Sequence, residues 1–134
     1  MLDKEDKTFA LSQYRLNTAE ETLIVAQECF ANNHYKDAIN RSYYAAFYAA
    51  RAVLAIEEVD FKRHKDVVAY FNKEYVAKGK VTRNLGRMLA RLQQKREQSD
   101  YDDFFIASRE EAAKQIENAV SIVSGIKQYL TKCE

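Results

Sequence analysis

The chain has 134 residues, 47% hydrophobic and 31% charged, with a formal net charge of +1. That length supports one domain, residues 1–134, with a core large enough to need no disulfide or metal staple. Three glycines and no proline leave little sequence for hairpin turns, which excludes a β-rich fold and predicts an all-α one.

Apolar residues recur at helical spacing along most of the chain. The first predicted helix runs from Lys7 to Ala31, with Leu16, Ala19, Leu23, Ala26 and Phe30 on one stripe. Residues 32–35 break the pattern, and Asn33 is the expected N-cap of the second helix. That helix spans Tyr35 to Glu57. Its seven alanines favour helix and admit close neighbours, and its apolar residues fall on nearly every side, so it is expected at the centre of the fold. Glu58 to Arg63 reads as a connection and His64 to Val76 as a shorter third helix, with Gly79 placed as a left-handed stop. The fourth helix, Thr82 to Gln98, carries Arg83, Arg87, Arg91 and Lys95 at i+4 spacing, opposite Leu85, Met88, Leu89 and Leu92. An acidic, aromatic stretch, SDYDDFFIAS, reads as a loop. Ser108-Arg109-Glu110-Glu111 is a capping box, and it opens a fifth helix to Leu130 with Ala112, Ile116, Ala119, Val123 and Ile126 inward. The expected architecture is an up-and-down antiparallel bundle of four main helices plus a shorter one.

Most enzyme chemistries lack their residues. There is no Gly-rich phosphate loop, nucleophile elbow or Cys/His metal spacing. Asp100, Asp102 and Asp103 match no calcium loop, and no Glu-x-x-His pattern occurs. No metal and no cofactor are therefore expected. Cys29 and Cys133 are too few for a disulfide framework and read as reduced thiols. The first ten residues, MLDKEDKTFA, lack an apolar core, and no apolar run approaches the roughly 20 residues needed to span a bilayer. A cytoplasmic protein without membrane contact is expected.

Charge is unevenly spread. Residues 62–96 hold eleven Lys or Arg against Asp66 and Glu74, which leaves the rest of the chain net negative. Such a segment suits nucleic acid or an acidic partner surface. The stretch NRSYYAAFYAAR, residues 40–51, places Arg41, Tyr44, Tyr48 and Arg51 on one helical face. A guanidinium there can grip a phosphate through paired hydrogen bonds, or it can be neutralised by Asp100 or Asp103. Tyr43, Tyr44 and Phe47 read as core packing. His64, with an ordinary pKa near 6.5, has the proton-transfer range that tyrosine, near 10, lacks. Its distance from the second helix is not readable in the sequence.

Residues 40–51 resemble the second-helix signature of HEPN domains, the higher eukaryotes and prokaryotes nucleotide-binding domains. The resemblance continues through Phe61-Lys62-Arg63-His64-Lys65, Phe71, Lys73-Glu74-Tyr75-Val76 and the block from Arg96 to Phe104. It implies a small helical bundle that forms a homodimer. Many members of the family are metal-independent endoribonucleases, and some pair with a minimal nucleotidyltransferase in toxin–antitoxin systems. Their active signature is an arginine, about four to six spacer residues and a histidine on the same helix. Carried onto this chain, Arg41 takes the arginine position and Tyr48 stands where the histidine belongs. The implied function is an RNA- or nucleotide-binding or partner-docking module, the HEPN half of a nucleotidyltransferase pair. The alternative is an active, toxin-like endoribonuclease using Arg41 with Tyr48, His64 or both. Arg51, Arg83, Arg87, Arg91 and Lys95 are the expected phosphate contacts.

Overall fold

The computed structural model describes residues 3–133 and consists of five α-helices with a π-helical turn after the third. Helix α1 spans Lys4–Ala31, α2 Tyr35–Ile56, α3 His64–Phe71, α4 Arg83–Tyr101 and α5 Arg109–Lys132; the π turn covers Asn72–Val76. The arrangement is the expected up-and-down bundle of four main helices and a shorter one.

Helix α2 is the centre of it, packed against α1, α3, α4 and α5. Thirteen of its 22 residues are buried, seven of them alanines. At those positions α2 presents only a methyl group to its neighbours. Ser12 on α1 comes close enough to donate a 2.7 Å hydrogen bond to the Ala52 carbonyl, joining the two helices within the buried layer. The larger volume of the core comes from Tyr43, Phe71, Tyr75, Leu89, Leu92, Ile122 and Ile126, all fully buried. Phe71 and Tyr75 stack at 5.6 Å, and the chain widens to a π turn between them, closed by the Ala77 N–H on the Asn72 carbonyl at 2.8 Å. Gly86 of α4 lies where that turn passes: a Cβ there would come within 2.9 Å of Val76 Cγ1. Gly79 comes next with φ of 73°, the left-handed stop its position predicts.

Several local expectations are corrected. Asn33 is not the N-cap of α2: it adopts φ of 65° and accepts from the Tyr35 hydroxyl, and the cap position falls to His34, whose side chain makes no capping bond. Helix α1 begins three residues early because Asp3 accepts from the Asp6 N–H at 2.8 Å and caps it. Helix α4 continues to Tyr101, with Ser99 buried on its inner side, so Asp100 is helical. The loop that remains, residues 102–108, exposes Phe104 and Ile106. No described helix is long and apolar enough to cross a membrane.

The capping box at α5 forms in its first half: the Ser108 hydroxyl accepts from the Glu111 N–H at 3.1 Å. Substituting Ser108→Ala is expected to cost about 1 kcal/mol in urea unfolding, and Ser108→Asp to restore most of it. Equal stability of the wild type and the alanine variant would show that the cap contributes nothing.

Candidate functional site

The polar edge of α2 and the two elements that close over it form one constellation. Tyr43 and Phe47 point into the core, while Arg41, Tyr44, Tyr48 and Arg51 are half-buried along its rim. Tyr44 is the residue the others share. The Arg41 guanidinium lies 5.0 Å from its ring centroid and the Arg96 guanidinium 5.5 Å. Arg96 Nη2 also donates to the Tyr44 hydroxyl at 3.3 Å. The Tyr48 ring is 6.0 Å away. His64 completes the set: its ring sits 5.6 Å from Tyr44 and 4.1 Å from Phe47. The connection from α2 to α3 thus returns the first residue of α3 to α2's aromatic face, a tertiary fact that the sequence did not contain.

The arginines differ in what neutralises them. Arg51 donates to both carboxylate oxygens of Asp60, at 3.2 and 3.0 Å, and Arg15 reaches the same carboxylate at 3.2 Å. Burial opposes ionisation of Asp60, but hydrogen bonds from Arg51 and the Phe61 N–H, with the two positive charges, outweigh it and hold the carboxyl below its ordinary range. The Arg51 charge is therefore already engaged. Arg41 is different. Its Nε and Nη2 donate to the Asn40 side-chain oxygen, at 3.1 and 2.8 Å, and it has no carboxylate partner among the described residues. The alternative in which Asp100 or Asp103 neutralises Arg41 is overturned: neither forms an ion pair with it among the described residues, and Asp100 lies one turn from Arg96 on the same helix, its oxygen 3.2 Å from Arg96 Nε. Among the described residues, Asp100, Asp102 and Asp103 make no ion pair with another helix.

Arg96 is the residue that sequence reasoning left out of the site. The signal for it was present. The stripe Arg83, Arg87, Arg91 and Lys95 runs along one side of α4, whereas Arg96 is four residues after Leu92 and seven after Leu89, on the buried side. An arginine at a core-facing position needs an explanation. Here its guanidinium lies over Tyr43, at 5.2 Å, as well as Tyr44. The four stripe residues point elsewhere: Arg83, Arg87 and Arg91 are exposed, and Lys95 turns to Glu111 of α5 at 3.4 Å.

Burial, then the charges of Arg96 and Arg51, lower the pKa of His64. Its imidazole is accordingly neutral at pH 7 and able to accept a proton. Burial pushes the Tyr43 hydroxyl up to about 12, and that hydroxyl has no hydrogen-bond partner among the described residues, so Tyr43 is a packing group. A cleft of about 410 Å³, lined by Phe47, Arg51, Asp60, Phe61, Lys62 and His64, opens beside the imidazole. Among the described residues no cluster of three or more His, Cys, Asp or Glu is placed to hold a metal ion.

The HEPN domain family model matches residues 12–129, nearly the whole bundle and every residue of this constellation. The chain belongs to the HEPN domain family. A UPF0332 protein of Thermotoga maritima is 31% identical over 118 residues, covering 88% of this chain and 89% of that protein. A Methanocaldococcus jannaschii protein named "Putative toxin" is 33% identical over 118 residues, 88% of this chain and 87% of its own. A second protein of the same name and organism is 26% identical over 115 residues, 86% and 78% of the two chains.

The electrostatics of His64 can be read directly. Proton NMR should give it a pKa below 6.5, and Arg96→Gln should move it upward by part of that depression only, since burial is the larger cause. Because the folded state holds this proton more weakly than the unfolded chain does, stability is full above about pH 6.5 and falls as the pH drops toward the folded pKa. A His64 pKa above 6.5 would contradict the geometry.

Proposed function

We propose that this HEPN protein binds single-stranded RNA through the Tyr44 constellation and works as the HEPN half of a pair with a minimal nucleotidyltransferase. The observation that carries the reading is the placement of two guanidinium groups, Arg41 and Arg96, on one tyrosine ring, with Arg41 lacking a carboxylate partner among the described residues. A phosphate approaching that rim meets paired N–H donors already oriented by cation–π contact. Exposed bases can stack on Tyr44, Tyr48 or the His64 ring, as single strands do on aromatic side chains. Arg51 acts in this reading as a structural neighbour held by Asp60. Arg83, Arg87 and Arg91 supply long-range attraction for the strand.

A second reading has its own support. His64 is neutral and beside Tyr44, and two relatives are named as toxins. In a metal-independent cleavage His64 takes the proton of a ribose 2′-hydroxyl, and the alkoxide attacks the adjacent phosphorus held by Arg41. The bond from phosphorus to the 5′-oxygen breaks, and Tyr48 donates the proton that the leaving oxygen needs. The products are a 2′,3′-cyclic phosphate end and a free 5′-hydroxyl. Tyrosine is a weak acid for that last step, and cleavage by one chain should be slow.

Titration of a fluorescent single-stranded RNA tests both readings. Arg41→Ala and Arg96→Ala should each weaken binding about 10- to 100-fold, the loss of one or two charge-assisted hydrogen bonds, with affinity falling steeply as salt rises. In the same tubes, with a chelator present, cleavage that disappears in His64→Ala while binding persists would establish the enzyme. RNA affinity indifferent to both arginines would sink the binding reading.

The proposal includes a homodimer in which two such rims face one another. Light scattering at micromolar concentration should give about twice the mass of the chain. A monomer there would remove the two-rim arrangement and leave each rim to act alone.

A further inference from the structure

A second depression lies between α4 and α5, about 700 Å³ in volume, and it shares no residue with the Tyr44 constellation. That volume is within the range of sites that hold small organic ligands. Helix α4 gives it Arg87, Arg91 and Lys95, and α5 gives it Lys114, Gln115 and Asn118. Two carboxylates, Glu110 and Glu111, stand at the end where α5 begins. Glu111 is engaged with Lys95 at 3.4 Å. Lys114 has only a loose contact with Glu117, at 3.9 Å. Arg87 and Arg91 have no carboxylate within 4.0 Å among the described residues, so the middle of the groove keeps its positive charge.

The floor is the informative part. Gln115 and Asn118 are only 4% and 6% exposed, at positions one turn apart where α5 otherwise buries Ala112, Ala119 and Ile122. Two buried amides are costly there unless their hydrogen bonds are made. They make one with each other, Asn118 Nδ2 to Gln115 Oε1 at 3.3 Å, and neither has another side-chain partner among the described residues. Whichever way the two amides are turned, one such bond leaves an NH₂ group and a carbonyl oxygen free. Neither is among the atoms sealed from solvent. The groove therefore offers an anion grip on one wall and an adjacent donor and acceptor on its floor.

The geometry points to a nucleotide seat: the α4–α5 groove takes one nucleotide unit, with its phosphate on Arg87 and Arg91 and its base edge on Gln115 and Asn118. Every nucleobase shows a donor beside an acceptor on its pairing edge, and Asn and Gln are side chains that match such a pair. A bare phosphate would use the arginines and leave the amides unanswered. The unit is either a free nucleotide or one residue of an RNA strand. The inference deepens the RNA-binding reading by adding a base-reading site distinct from the phosphate-gripping rim.

The test tracks the Gln115 and Asn118 side-chain amide signals of the ¹⁵N-labelled full chain. Each of AMP, CMP, GMP and UMP, inorganic phosphate, and a short single-stranded RNA is titrated separately. At least one nucleotide or the RNA should saturate and shift both amides, at least tenfold more tightly than phosphate. Arg91→Gln, an exposed substitution that spares the core, should weaken that binding at least fivefold. Gln115→Leu should remove the preference over phosphate. Shifts with RNA alone assign the seat to a strand, and shifts with free nucleotides alone assign it to a soluble ligand; both support the seat. Unmoved amides at millimolar nucleotide and saturating RNA overturn it, as does phosphate binding equal to that of every nucleotide. If RNA binding at the Tyr44 rim fails while the amides still titrate, only the rim proposal is lost.

Discussion

Helix α2 has to be covered on every side, and the alanines along it set how near each cover can come. Where alanine lies under a neighbour, as at Ala45, Ala46, Ala49 and Ala52, all fully buried, the small side chain lets the facing helix come close, as the Ser12 hydrogen bond to the Ala52 carbonyl shows. Where Tyr43 and Phe47 project, the neighbours must stand off and fill the space with other rings or with arginine stems. The site is built from that difference in height. His64 packs its ring on Phe47, and Arg96 lays its guanidinium over Tyr43 and Tyr44. Neither contact could form against a flat, alanine-only surface. Packing and the candidate chemistry are thus consequences of one pattern of large and small residues on one helix.

Charge then decides which of the gathered arginines is free to act. Arg15 and Arg51 share Asp60, and their role is to tie α1, α2 and the connection before α3 into one unit. Arg41 meets a neutral amide oxygen, and Arg96 has two tyrosine rings in addition to its own-helix aspartate. A cation stabilised by ring faces and a neutral oxygen keeps its ability to attract a phosphate, whereas one in a bidentate carboxylate pair does not. The same neighbours explain His64. Partial burial, then the charges of Arg96 and Arg51, push it toward the neutral form, so Arg96 both faces an incoming anion and favours the unprotonated imidazole beside it.

Much of the bundle was legible in the sequence because helical periodicity survives wherever one face is buried. The five helices, the stop at Gly79 and the cap at Ser108 arise from local chemistry. What was not legible was of two kinds, local geometry that composition hides and contacts with partners distant in sequence. The end of α4 reads as a loop by composition, but Ser99 continues the buried row of Leu85, Leu89 and Leu92, and Arg96 pairs with Asp100 one turn on. The π turn accompanies the stacking of Phe71 on Tyr75, and Asn33 adopts a left-handed turn that its cap-like identity does not distinguish. At the site, the face holding Arg41, Tyr44 and Tyr48 could be drawn from spacing alone. The arrival of His64 and Arg96 could not, since it requires the fold of the connection and the rotation of α4.

The place of Arg96 beside Lys95 shows how one helix serves two surfaces. Adjacent residues on an α-helix point about 100° apart. Lys95 therefore turns to α5 and Arg96 to α2. A polyanion attracted to the basic side of α4 is attracted to a surface whose next residue already belongs to the aromatic rim. In the proposed RNA binding, one strand could meet both surfaces without rearrangement, because a single helix carries them. Their separation is fixed by the rotation of α4, which Leu85, Leu89 and Leu92 lock by their complete or near-complete burial. A core substitution that turned α4 about its axis would disturb both surfaces together while leaving every arginine in the sequence.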